Sequence, residues 1–154
     1  MTGELIIRAA HEAESSRLSE LARASKASWG YPPEWLAAWH DDLCLSPEYI
    51  QGNDVLVAEL DGELVGVVGI GDGADGPEIG HLWVAAGAQG KGVGAALLRE
   101  GIAVARTRGW TELRIESDPH AQPFYEHFGA THQGEVPAPV CGVDRTLPLL
   151  RLPV

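Results

Sequence analysis

Between residues 81 and 98 the chain reads His81-Leu-Trp-Val-Ala-Ala-Gly87-Ala-Gln89-Gly-Lys91-Gly92-Val-Gly94-Ala-Ala-Leu-Leu98. An apolar, β-rich run ends, four glycines fall within eight residues, and an apolar helical run begins. Glycine at that density weakens any regular element, so the stretch must be a loop joining a strand to a helix. The first N–H groups of the helix have no intrahelical partner and lie at the positive end of its dipole. A phosphate or pyrophosphate is the expected guest. Gly92 and Gly94 let it approach the backbone, and Lys91 adds one positive charge. The bland alternative is a tight strand–helix connection that holds no ligand.

The rest of the composition narrows what such a loop can serve. With 154 residues, 45% of them apolar, the chain is long enough for one packed domain, expected to span residues 1–154. Its net charge of −11 argues against a binder of nucleic-acid backbones or of anionic membrane surfaces. The longest apolar runs, such as Leu64 to Ile70, are far too short to span a bilayer. Residues Met1 to Glu14 contain no apolar core of a secretory signal. Cys44 and Cys141 form no CxxC pair and are expected to be reduced and buried. His11, His40, His81, His120, His127 and His132 form no ligand-spaced pair, so no metal is expected. These readings together describe a soluble, cytoplasmic protein.

Periodicity and turn residues divide the chain into short elements. Leu5–Arg8 reads as a strand, and His11–Ser28 as a helix with Leu18, Leu21, Ala22, Ser25 and Trp29 on one face. Gly30-Tyr31-Pro32-Pro33 breaks it. A second helix follows, with Trp35, Trp39 and Leu43 aligned and Pro47 beyond its end. Asp54–Leu60 and Glu63–Ile70 form a hairpin through Asp61-Gly62. Glu78–Val84 is a strand, and the glycine loop opens a helix that runs to about Arg108, stopped by Gly109. Thr111–Glu116 is a strand, and a short helix near His120–Phe128 is stopped by Gly129. Thr131–Val136 and Arg145–Leu152 close the chain as strands, with Pro148 marking an edge or bulge. The order β-αα-βββ-α-β-α-ββ, with one parallel crossover, is an α/β (α+β) fold built on a mixed sheet.

Three loop patterns compete at the glycines. A phosphate-binding loop of the Walker type needs Ser or Thr after Gly-Lys, and Gly92 stands there. Gly90-Lys-Gly92-Val-Gly-Ala95 matches GxGxxA, but that dinucleotide fingerprint belongs in the first βα turn of a parallel sheet, not in mid-chain. Gln89-Gly-Lys-Gly92-Val-Gly94 also reads as Q/R-x-x-G-x-G/A, which resembles the acetyl-CoA loop of the GCN5-related N-acetyltransferase (GNAT) superfamily. Downstream, Ala121-Gln-Pro-Phe124-Tyr125-Glu-His-Phe-Gly129-Ala130 resembles that family's A-x-x-FY-x-x-x-GF segment. The element order matches as well, so the resemblance covers nearly the whole chain.

The resemblance implies acetyl-CoA held where two central parallel strands, Glu78–Val84 and Thr111–Glu116, splay into a V. Gln89, Gly90, Lys91, Gly92, Val93 and Gly94 would hold the pyrophosphate, and the backbone of Leu82, Trp83 and Val84 the pantetheine. Phe124 would flank the other side. It also implies direct attack of a primary amine on the thioester, with Tyr125 as general acid. His120 stands where the family often has Asn, either as a hydrogen-bond donor or as an exposed cap residue. Glu78 or His81 would be the base, or a water chain to Glu116 or Asp118. Three residues apart, Glu78 and His81 face opposite sides unless a β-bulge, common in the family at this place, intervenes. Trp29 and Tyr31, between the first two helices, are candidates for the acceptor pocket. The acidic charge favours a cationic acceptor. A non-catalytic acyl-CoA sensor of the same fold is the alternative, and family members often form homodimers.

Overall fold

A computed structural model describes residues 3–154. Its strands are β1 (Leu5–Ala9), β2 (Asp54–Leu60), β3 (Glu63–Gly73), β4 (Gly76–Val84), β5 (Glu112–Glu116), β6 (Thr131–Pro137) and β7 (Thr146–Pro153). The helices are α1 (Ser15–Ala27), α2 (Pro33–Ala38), α3 (Pro47–Gly52), α4 (Val93–Thr107) and α5 (Gln122–His127). One seven-stranded sheet has the order β1-β2-β3-β4-β5-β7-β6, antiparallel except for β4 against β5. This is the mixed α/β fold expected from the sequence.

Local chemistry explains most boundaries. Asp61 and Gly62 both have positive φ, the requirement of the tight type I′ turn that joins β2 to β3. Gly92, at φ 78°, caps α4, and Gly129, at φ 101°, ends the segment after α5. Ser46 accepts the N–H of Tyr49, and Pro47 occupies the first turn of α3, a helix that apolar spacing does not signal. The second helix is shorter than its apolar spacing predicts: α2 ends at Ala38, and Trp39 and Leu43 lie in the turns beyond it.

Each face of the sheet carries a core. On one side α4 buries Val93, Leu97, Leu98 and Ala105 against Val68, Ile70, Leu113 and Ile115. On the other, Leu18 and Ala22 of α1 and Ile50 of α3 pack on Val55, Val57 and Val67. The carbonyl of Pro148 accepts from Ser117, so its nitrogen also faces the β5 side, where β5 has already ended. β7 is an interior strand, which excludes the edge, and of the two alternatives the bulge fits: the β6–β7 register shifts between His132 and Gly134, where Gly134 pairs with Leu149 beside Pro148. The cysteines are also corrected: both are free and exposed. Cys44 lies between buried Leu43 and Leu45, its sulfur accepting the Ser19 hydroxyl at 3.8 Å, and Cys141 is in the β6–β7 loop with φ 48°. Among the described residues no helix is long and apolar enough to cross a membrane, and no cluster of metal-binding side chains occurs.

Candidate functional site

The site begins where β4 and β5 part. Their registered pairing is limited to Glu78 with Arg114, and beyond it the two strands diverge. Ala85 N–H bonds the Val65 carbonyl on the β3 side at 2.8 Å, so strand alternation turns the peptide groups of Leu82 and Val84 into the gap. The Val84 carbonyl accepts the Ser25 hydroxyl at 3.0 Å, which ties α1 to this opening.

Three cavities meet at the gap. A cleft of about 390 Å³ is lined by Leu82, Val84, Gln89, Gly90, Gly92, Val93, Gly94, His120, Phe124 and Tyr125, with Trp29 at its side. Nine of the residues expected to hold acetyl-CoA therefore share one wall system. Trp83 and Lys91 do not belong to it: Trp83 points to the opposite sheet face, and Lys91 is exposed. A small chamber of about 70 Å³ adjoins the cleft, sharing Trp29, Leu82, Ala121 and Tyr125 with it. That chamber in turn shares Trp83, Glu116 and Asp118 with a third cavity of about 480 Å³ under α2 and the β6–β7 loop. The chamber thus shares walls with both larger cavities, which have no lining residue in common with each other.

The loop at the cleft fits a pyrophosphate. Gly90 and Gly92 have φ of 78°, and nothing lies within 4 Å of where a Cβ would stand at either. The first backbone bond of α4 is Ala96 N–H to the Gly92 carbonyl, so the earlier N–H groups are unspent. α4 has 15 residues, enough for its dipole to contribute at that end.

Tyr125 lines both the cleft and the chamber and is 6% exposed. Burial raises its pKa, with no offsetting hydrogen bond, so the phenol holds its proton at neutral pH. His81 lines the chamber but is an unfavourable base. Trp83 Nε1–H donates to its Nδ1 at 2.9 Å, which occupies the lone pair and leaves the proton on Nε2. Burial lowers its pKa to about 4. The sequence expectation of His81 as base meets this hydrogen bond directly.

Glu78 stands at the point of the V, in register with Arg114. Ile79 pairs with Ile70 and His81 with Gly69, so Gly80 is the extra residue of a β-bulge. The bulge reverses parity: Glu78 opposes Gly71, His81 opposes Gly69, and both side chains lie on the α3 face beside Tyr49. Burial first, then the charge of Glu116, raises the Glu78 pKa. Glu78 lines none of the three cavities, whereas Glu116 lines two of them.

Trp29 stacks on His120 with ring centroids 5.1 Å apart, and the pair walls the cleft. Tyr31 lines none of these three cavities. Its hydroxyl donates to Asp118 Oδ2 at 2.7 Å and accepts from Arg145 at 3.0 Å. The aromatic cluster is already occupied by the chain's own cations: Lys26 lies 4.5 Å from the Trp39 ring, and Arg145 lies 5.3 Å from Tyr31 and 5.1 Å from Trp39. Lys26 bonds Asp118 at 2.6 Å. Burial lowers the Lys26 pKa; burial also opposes ionisation of Asp118, but its bonds to Lys26, His120 and Tyr31 keep it below the usual carboxylate value. Sequence patterns do not single out Lys26, Tyr49 or Arg145. A lysine eight residues after Leu18, on the buried stripe of α1, is the one local signal among them.

Fold and site thus define a mixed-sheet protein with a splayed parallel pair and, at the split, a glycine-rich loop whose N–H groups are unspent. The acetyltransferase (GNAT) family matches residues 16–130, and the chain belongs to that family. Similar solved structures include the GCN5-related N-acetyltransferase of Rhodopseudomonas palustris, 20% identical over 100% of this chain and 98% of that one, with a TM-score of 0.83. The PaiA N-acetyltransferase of Thermoplasma acidophilum, in complex with coenzyme A, is 20% identical over 98% and 99% of the two chains, with a TM-score of 0.77. A third, YncA of Salmonella typhimurium with acetyl-CoA, is 24% identical over 97% and 94%, with a TM-score of 0.70. No curated protein matches the chain.

Proposed function

We propose that the protein transfers an acetyl group from acetyl-CoA to a primary amine by direct attack on the thioester. The observation that carries this reading is the chamber: it shares walls with the loop-bearing cleft and with a second cavity, and Tyr125 lines both the cleft and the chamber. In the cleft, N–H groups of the glycine loop and the start of α4 would hold the pyrophosphate, and Leu82 would offer strand-like peptide bonds to the pantetheine. Bound acetyl-CoA supplies the activated acyl carbon.

The chain's residues then handle two protons. Tyr125, kept neutral by burial, gives its proton to the departing thiolate as the C–S bond breaks and the N–C bond forms. The amine's surplus proton passes to the carboxylates at the point of the V. Glu78 has the raised proton affinity, and Glu116 reaches the chamber between Glu78 and the acceptor. Isothermal titration with acetyl-CoA, followed by thiol release over a panel of primary amines, tests the reading. Micromolar binding and turnover are expected. Absence of acetyl-CoA binding overturns it, and binding without turnover on any amine turns it toward the acyl-CoA sensor.

A further inference from the structure

The third cavity holds a cation with unused hydrogen-bond donors: Arg145 lines it together with Lys26 and the carboxylates of Asp42, Glu116 and Asp118. Asp118 accepts four hydrogen bonds: Lys26 Nζ at 2.6 Å and Tyr31 Oη at 2.7 Å on Oδ2, and His120 N and Nδ1, each at 2.8 Å, on Oδ1. A carboxylate offers about four lone-pair sites, so Asp118 is saturated. Arg145 is left out. Its Nη2 stops 3.6 Å from Oδ2, and among the described residues its hydrogen bonding is limited to the Tyr31 hydroxyl. The side chain is only 13% exposed, and its flat face is covered by Tyr31, Trp35 and Trp39. The guanidinium has five N–H donors in a fork suited to a carboxylate, and the residue lines the third cavity. No buried polar atom lacks a partner among the described residues, so the spare donors are not sealed in protein. They are accessible to whatever fills the cavity.

We infer that the amine acceptor is a free α-amino acid whose carboxylate is held by Arg145 and whose apolar side chain lies against Trp39, Leu43 and Val140. This rests on the acetyltransferase reading above. Distance sets the spacing: Asp118, 3.6 Å from Arg145, also lines the chamber, so carboxylate and amine must sit close together on the acceptor. Glu116, shared by the chamber and the third cavity, is placed for the amine end. The cavity's volume of about 480 Å³ falls in the range of roughly 300–1,000 Å³ usual for small-ligand sites. Its walls are mainly apolar, with Trp39, Leu43, Trp83, Val140 and Leu147 among them.

The test compares L-leucine and L-phenylalanine with their amides and with isopentylamine and phenethylamine, following CoA thiol release. Wild-type kcat/KM is expected to be at least about tenfold higher for the acids than for the amides, given one charge-assisted bidentate contact. The amide's amine is the less basic, which biases reaction toward the amide, so a preference for the acid is no basicity effect. Arg145→Gln should erase the preference, mainly through KM for the acid. Arg145→Lys, which keeps the charge without the fork, should restore part of it. Equal or better turnover of amides or simple amines by the wild type overturns the inference and leaves the acetyltransferase reading standing. Acetyl-CoA binding with no acetylation of any member overturns both. Each of these two outcomes is read on the wild-type protein, so neither depends on a variant folding.

Discussion

Among the described residues the Tyr125 hydroxyl bonds no other and is not sealed in protein, which leaves two roles open to it, and substitution separates them. If Tyr125 protonates the thiolate, Tyr125→Phe should lower kcat by about 10²-fold, the low end for general acid catalysis, while acetyl-CoA affinity changes by less than about twofold. Single-turnover kinetics with parallel titration checks this; an unchanged kcat would leave Tyr125 as packing between Phe124 and the cleft. Glu78 makes its own prediction through pH. It accepts a proton only when ionised, and burial together with Glu116 raises its pKa above the ordinary carboxylate value. Activity should therefore rise with pH through that raised pKa, as a limb distinct from the higher one belonging to the acceptor amine. In Glu78→Gln the lower limb should vanish from the kcat/KM profile while the amine's limb remains. Persistence of both limbs in that variant would place the proton acceptor elsewhere.

The glycines of the loop are not equivalent as elements of the fold. Gly92 caps α4 at φ 78° with open space around a would-be Cβ, so Gly92→Ala acts through backbone conformation and not through a clash. It should cost about 1–2 kcal/mol of stability and weaken acetyl-CoA binding as the N–H groups re-aim. Gly94 lies inside α4, and its Cβ would stand 3.5 Å from Val84 Cγ2 and 3.6 Å from Phe124 Cζ, ordinary contact. Gly94→Ala should hold or raise the melting temperature, since alanine is the better helix former. Thermal melts of the two variants should move in opposite directions. The same distinction shows what the sequence made legible. Asp61-Gly62, the glycine loop and the stop at Gly129 act over a few residues, so the order of elements along the chain could be read directly, while the place of the cleft came from the family resemblance. The bulge at Gly80, which brings Glu78 and His81 to one face, followed from parity only once pairing was known. α2 and α3 are six residues each, too short for periodicity to bound them. The cluster of Lys26, Asp118, Tyr31 and Arg145 joins residues 87 to 114 positions apart, beyond any local pattern.

At the scale of the whole molecule, net charge and local charge pull apart. Eleven Lys and Arg face 22 Asp and Glu, so a CoA thioester, itself strongly anionic, approaches through a repulsive field. Attraction comes into play only at short range, from the α4 N-terminus and the loop N–H groups. The third cavity is mixed in charge: Lys26 and Arg145 are both paired with Asp118, and Asp42 and Glu116 line the same space. A field that is long-ranged and repulsive should be the part that salt removes. Raising ionic strength from about 10 to about 150 mM shortens the Debye length from about 30 to about 8 Å. The association rate constant of acetyl-CoA should rise by about twofold or more over that range, with little change in dissociation. Stopped-flow binding in a chloride buffer at fixed pH measures both. A rate that falls with salt would mean that the loop's positive end dominates the approach, and that the molecule's acidity is confined to surfaces the cofactor never meets.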